Sequence, residues 1–295
     1  MTTPTVAAPA AATASPIDPR TSVGAVTLSV ADLARSSAYY QEHIGLAELG
    51  RDATSATFGV AGLPLLHLRQ QPGARVVRRA TGLYHFALLL PSRRDLALII
   101  KHFAEAQTPI GGASDHIVSE ALYLSDPDGH GIEIYRDRPR ERWYDAKGSF
   151  LMTTVALDIY DILGELGENP PAWGGLPQGT TMGHVHLQVA RIPEAESFYL
   201  GVLGMDRMAA LPQASFVSAG GYHHHLGMNT WAGVGVGAPP EGAARLIEYE
   251  LVLPDAAALD ATLERIRAAQ APLERRADGW LTRDPSHNHI LLRAG

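Results

Sequence analysis

The sequence contains no cysteine. That absence excludes disulfides, thiolate zinc sites, iron–sulfur clusters and cysteine nucleophiles together. An excess of basic residues is also missing: Lys+Arg number 24 against Asp+Glu 31, a formal net charge of −7. Nucleic acids and anionic membranes recruit clustered Lys and Arg, so neither is an expected partner. No apolar run approaches the roughly 20 residues of a membrane-spanning helix. The N-terminus has neither the basic start nor the continuous apolar stretch of a secretory signal, and a cytoplasmic location is the expectation. The glycine fingerprint of a dinucleotide fold and the short period of a solenoid are absent too. What the chain has in quantity is histidine, 13 in 295 residues. With sulfur missing, any transition-metal site must be built from imidazole and carboxylate.

Residues 1–20 are rich in Ala, Thr and Pro and read as a disordered tail. Beyond them the chain repeats itself. Residues 23–46 (VGAVTLSVADLARSSAYYQEHIGL) align without a gap with residues 182–205 (MGHVHLQVARIPEAESFYLGVLGM), at an offset of 159. Each shows strand alternation, then an amphipathic helix, then a glycine, Gly45 or Gly204. A second pair, GLYHFALLLP from Gly82 and RLIEYELVLP from Arg245, recurs at an offset of 163. Its members close on SDPDGHGIEIY from Ser125 and RDPSHNHILLR from Arg283, each a turn followed by a short strand. The expected fold is α+β: four βαβββ modules in two tandem halves, with mostly antiparallel sheets. Residues 21–140 would carry modules one and two, and 181–295 modules three and four. Residues 141–180 read as a linker, with a helix expected over 155–166 and a Pro/Gly-rich run, NPPAWGGLPQG.

Strand alternation assigns side chains to faces. In GLYHFALLLP, His85 shares a face with Ala87 and Leu89, while Tyr84, Phe86 and Leu88 take the other. In GHGIEIYR, Glu133 joins Gly131 and Tyr135, away from Ile132 and Ile134. In GHVHLQV, His184, His186 and Gln188 lie opposite Val185, Leu187 and Val189. Burying a lone His or Glu is expensive, and a shared metal ion would satisfy them. Taken singly, each is more simply a buried His–Glu pair or a residue on a solvent-facing strand. The duplication alters that balance. The equivalents of His184, His85 and Glu133 are Ala25, Glu248 and Leu291, which could not make the same site. One complete and one degenerate constellation is what a duplicated scaffold with a single active centre leaves behind.

The repeated modules, LYLSDPDGHGIEIY and GGYHHHLGMNTWAG resemble the vicinal oxygen chelate superfamily (glyoxalase/bleomycin resistance/extradiol dioxygenase), and within it the two-domain catechol 2,3-dioxygenase branch. The resemblance runs from about Ser22 to the C-terminus. It implies cupped sheets made by paired modules, and Fe(II), or Mn(II), held by two His and one Glu. Carried over by position, His85 and His184 are the strand-one histidines and Glu133 the last-strand glutamate, with His186 a rival for His184. In the best-known extradiol enzymes all three ligands lie in modules three and four; here Glu248 and Leu291 break that pattern. The triad is complete only if module two pairs with module three. The resemblance further implies His224 as a catalytic histidine, Tyr123 as a substrate-binding tyrosine, and His116 as a second pocket histidine, which by its sequence alone is equally a loop residue. His223 and His225 fall on the opposite strand face, as structural or exposed residues. His43, His67, His102, His130, His287 and His289 look like surface residues. The expected reaction is metal-dependent ring cleavage of a small aromatic diol by O2. A glyoxalase-like isomerase or lyase, which usually needs a fourth ligand, and a metal-free ligand-sequestering protein are the alternatives. Related enzymes commonly assemble, which leaves a homo-oligomer open.

Overall fold

The computed structural model describes residues 16–295; residues 1–15, most of the expected tail, lie outside them. The rest of that tail is packed. Ile17 is buried in the core and its N–H donates to the Gly204 carbonyl at 2.9 Å, so one large apolar residue suffices to anchor the segment.

Module one comprises β1 (Ser22–Val30), α1 (Leu33–Tyr39), β2 (Ala47–Arg51), β3 (Ser55–Val60) and β4 (Leu63–Gln70). Module two has β5 (Gly82–Leu89), α2 (Arg93–Glu105), β6 (Gly112–Asp115), β7 (Ser119–Ser125) and β8 (Gly131–Asp137). A short α3 (Ile159–Gly164) precedes module three: β9 (Thr181–Gln188), α4 (Ile192–Glu196), β10 (Asp206–Leu211), β11 (Ala214–Ser218) and β12 (Leu226–Asn229). Module four is β13 (Leu246–Leu253), α5 (Ala256–Ala268), β14 (Leu273–Arg275), β15 (Trp280–Arg283) and β16 (His289–Ala294). Helices begin where the sequence supplies a side-chain acceptor. Asp32, Ser92, Asp158 and Asp255 each cap α1, α2, α3 and α5 by accepting a backbone N–H three residues on.

The modules pair across the halves. One eight-stranded sheet runs β14-β15-β16-β13-β1-β4-β3-β2 and the other β10-β11-β12-β9-β5-β8-β7-β6. The central pairs β1/β13 and β5/β9 are antiparallel. The sheets curl, and most neighbours are antiparallel, as expected. The two sequence halves, 21–140 and 181–295, are therefore not two closed units: each sheet takes one module from each. Matching buried bonds tie the modules further. Tyr40 donates to Asp126 at 2.9 Å, and its repeat partner Tyr199 donates to Asp284 at 3.0 Å.

Alternation separates the faces of the second sheet. Phe86, Leu88, Ile132, Ile134, Val185 and Leu187 enter the main core, where Leu96, Ile99 and Phe103 of α2 meet them. His85, Ala87, Glu133, Tyr135, His184 and His186 face the other way. Tyr84 departs from the expected pattern. The pairing of β5 with β9 shifts register between Leu83 and His85, and this irregularity turns Tyr84 to the same cavity as His85. Gly131 makes the neighbouring approach possible, because a Cβ there would sit 2.0 Å from the Tyr84 carbonyl oxygen. Gly131→Ala is expected to lose about 3 kcal/mol or more of unfolding free energy by overpacking against backbone, measured by urea titration.

Other expectations need correction. The helix expected over 155–166 is only Ile159–Gly164, because Val155 is extended and exchanges two backbone hydrogen bonds with Asp115, at 2.9 and 3.0 Å. One residue of the linker thereby bridges the outer edge of β6, and the linker's Trp143 is buried. His102 and His130 are buried rather than on the surface. His102 stacks on Trp173 and donates to the Glu42 carbonyl at 3.0 Å; His130 donates to the Ser29 carbonyl at 2.9 Å.

Candidate active site

Three parallel or antiparallel neighbours, β8, β5 and β9, set side by side the residues that alternation singles out. In register, Ala87 lies beside both Glu133 and His184, and His85 beside His186. With alanine at that central position, the flanking side chains lean over it and converge. His85 Nε2 lies 2.9 Å, and His184 Nε2 3.2 Å, from Glu133 Oε2; the two nitrogens are 3.3 Å apart. All three residues are buried. His186 is outside this group: among the described residues only His85, Glu133 and His184 bring three donors within 4.8 Å of one another.

The triangle can be tested against a metal ion. Donors about 2.1 Å from a common ion and at right angles to each other stand about 3.0 Å apart. The observed edges, 2.9 to 3.3 Å, fit one shared ion. The protonation states fit as well. Burial, outweighing the attraction of Glu133, holds His184 at about 4, so its lone pair is available at neutral pH. Burial also pushes the Glu133 carboxyl up, but the charge and hydrogen bonds of His184 and His85 together hold it well below the usual carboxylate range.

A cavity of about 310 Å³ opens above this floor. One side is polar, with Ser114, His116, Ser119 and Tyr123 joined by Thr153 and Thr154 of the segment between the halves. The other is aromatic, with Tyr84, Phe216 and Trp231. Tyr123 on β7 pairs directly with Glu133. Its hydroxyl is 2.7 Å from His116 Nε2, and His116 Nδ1 is 3.0 Å from the Thr153 carbonyl. Burial first, and then the Glu133 charge, raises the Tyr123 pKa, so it stays a phenol. His224 also lines the cavity, its ring centroid 4.1 Å from that of His184.

His223 and His225 are not on a strand face. Residues 219–225 form the turn between β11 and β12, which frees consecutive side chains from alternation. His223 is fully buried; its Nδ1 meets His224 Nδ1 at 2.8 Å and its Nε2 meets Asp137 Oδ1 at 2.8 Å. His225 Nδ1 accepts the Ala219 N–H at 3.1 Å, a structural role. Asp137, Trp231 and the threonines were absent from the expected site. Only Asp137 carried a signal, since it shares the face of Glu133 and Tyr135 by alternation.

Cupped sheets of paired βαβββ modules with a His–Glu–His floor place the chain in a known class. The sequence model of the Glyoxalase/Bleomycin resistance protein/Dioxygenase superfamily matches residues 22–134. A catechol-2,3-dioxygenase from Bacillus subtilis (strain 168) is 42% identical over 271 residues, covering 90% of this chain and 94% of that one. The chain belongs to this superfamily. Among solved structures, glyoxalase I from Zea mays superposes with a TM-score of 0.57 at 16% identity, covering 92% of each chain. A protein from Bacillus subtilis subsp. subtilis str. 168, provisionally described as a dioxygenase, gives 0.64 at 14% identity over 95% of this chain and 86% of that one. These two likenesses concern the fold. No helix among the described residues is long and apolar enough to cross a membrane.

Proposed function

We propose that the protein is an extradiol dioxygenase that cleaves a catecholic ring beside its two hydroxyls, with His85, Glu133 and His184 holding Fe(II), or alternatively Mn(II). The observation that carries this reading is the convergence of three buried donors on one point at the floor of a cavity. It is supported by the 42% identity to a catechol-2,3-dioxygenase. Three protein ligands leave positions for a bidentate diol and dioxygen, whereas a glyoxalase-like site would call for a fourth. A divalent ion held there would bind both diol oxygens and couple ring oxidation to triplet dioxygen, which reacts slowly with closed-shell aromatics.

The chain's own groups manage the protons. The Asp137 carboxylate oxygen is placed as an acceptor, so His223 Nε2 carries a proton toward it. With its proton on Nε2, His223 offers Nδ1 as acceptor to His224 Nδ1–H, which leaves His224 Nε2 unprotonated on a ring that lines the cavity. That nitrogen takes the proton of the diol. On the polar side, His116 Nδ1–H donates to the Thr153 carbonyl, so His116 Nε2 accepts the Tyr123 O–H. The Tyr123 oxygen is thereby turned into an acceptor that orients a substrate hydroxyl. The volume of about 310 Å³ lies at the low end for small-molecule sites and suits a single-ring substrate.

The test is anaerobic reconstitution with Fe(II), metal analysis, and oxygen uptake with catechol. One metal per chain and oxygen consumed in step with catechol are expected. Metal-loaded protein that consumes no oxygen with any catechol would overturn the reading.

A further inference from the structure

His186 is the odd member of the aromatic side. It is 4% exposed, and its Nε2 is buried without any hydrogen-bond partner among the described residues. Its ring stands against Tyr84, Phe216 and Trp231, at centroid distances of 5.2, 5.7 and 5.5 Å. The seat is built for it. Gly227 lies directly across the β9/β12 pair, and a Cβ there would come within 2.8–3.0 Å of three ring atoms. The imidazole thus rests flat on a residue with no side chain, and it lines the cavity without joining the donor triangle.

A wall of Tyr, Phe and Trp would receive an apolar substituent unaided. Placing an unpaired imidazole nitrogen among them costs stability unless something in the cavity pairs with it. In the free protein that nitrogen has almost no surface open to water, so the partner it lacks has to come from a group packed against the ring from the cavity. We propose that His186 is a specificity-determining residue that recognises an oxygen-bearing substituent on the ring, a third oxygen beyond the two of the diol. The inference rests on the dioxygenase reading and narrows its substrate class to catechols carrying a short hydroxyl- or carbonyl-type group. A site built to hydrogen-bond a substrate group discriminates strongly against the analogue that lacks it, because its own polar atom is then stranded.

Matched pairs of nearly equal size test this: 3- and 4-methylcatechol against 2,3- and 3,4-dihydroxybenzyl alcohol, with Fe(II)-loaded protein and oxygen uptake. The natural protein is expected to favour the alcohol of at least one pair by about tenfold or more in kcat/KM, the size of an unpaired buried polar group. His186→Leu is expected to abolish that ratio and His186→Gln, which keeps a hydrogen-bonding group, to restore part of it. Anaerobic dissociation constants for the same pairs should shift in parallel. Methylcatechols cleaved as well as the alcohols by the natural protein, or a ratio unchanged in His186→Leu, overturn the inference alone. No oxygen uptake with any catechol overturns the dioxygenase reading and this inference with it.

Discussion

Glu133→Gln is expected to leave a folded protein that neither retains iron nor consumes oxygen. The carboxylate is the only anionic member of the triangle, and both histidine Nε2 atoms lie within 3.2 Å of one of its oxygens. Glutamine matches its shape but replaces the charge with an amide, whose N–H2 face cannot ligate a cation. Losing a direct ligand should exceed the 10–100-fold effect typical of outer partners, so a loss of activity of at least about 10³-fold is expected. Stability separates this from a folding defect. In the metal-free chain a buried ionised carboxylate carries a desolvation penalty that a neutral amide of the same shape avoids, and the glutamine can still hydrogen-bond the two histidines. The metal-free variant should therefore melt within a few degrees of the metal-free natural protein. A ligand at 1,000 times its dissociation constant adds about 4 kcal/mol to the natural protein, and the variant should show none of that gain. Calorimetry with and without Fe(II), beside metal analysis, measures both. A variant that kept full iron would remove Glu133 from the ligand set.

Much of this site was legible because a polar residue interrupting a strand of Ile, Val and Leu is conspicuous. His85, Glu133 and His184 each do so, and the internal repeat showed that only modules two and three held a complete set. Pairing across the halves followed from that incompatibility, and the β5/β9 ladder shows it. The choice between His184 and His186 was not legible, since both share a face. Register sets the two apart: His184 stands beside Ala87, where space exists to lean toward Glu133, and His186 beside His85. Tyr84 was assigned to the wrong face because a single register shift inverts alternation locally. His223 was misread for a related reason, an assumed strand where the chain turns. His102 and His130 read as surface residues in the sequence because their partners, backbone carbonyls 60 and 101 positions away, leave no local mark. The segment over the cavity has no periodicity at all; its place is set by the Asp115–Val155 bridge.

The other large effect belongs to His224, and it should fall on kcat while metal content stays full. His224→Gln keeps a donor for His223 but has no basic nitrogen, so the proton of the diol loses its acceptor. Removing a positioned general base typically costs 10²–10⁴-fold, and kcat should drop within that range. Asp137→Ala acts through the same path. Without the carboxylate, nothing obliges His223 to keep its proton on Nε2, and the His223–His224 contact at 2.8 Å can reverse direction. His224 would then present N–H to the cavity in a share of molecules, a wrong-tautomer defect expected to cost about tenfold to a hundredfold in kcat, less than removing the base. Because both act on one nitrogen, the effects should not multiply. The double variant His224→Gln/Asp137→Ala should be no slower than His224→Gln alone, as for groups that work as a unit. Steady-state oxygen uptake on the four proteins decides it. Fully multiplicative losses would show that Asp137 acts elsewhere, and a His224→Gln protein with undiminished kcat would move the base to another residue of the cavity, of which Tyr123 with His116 behind it is the best placed.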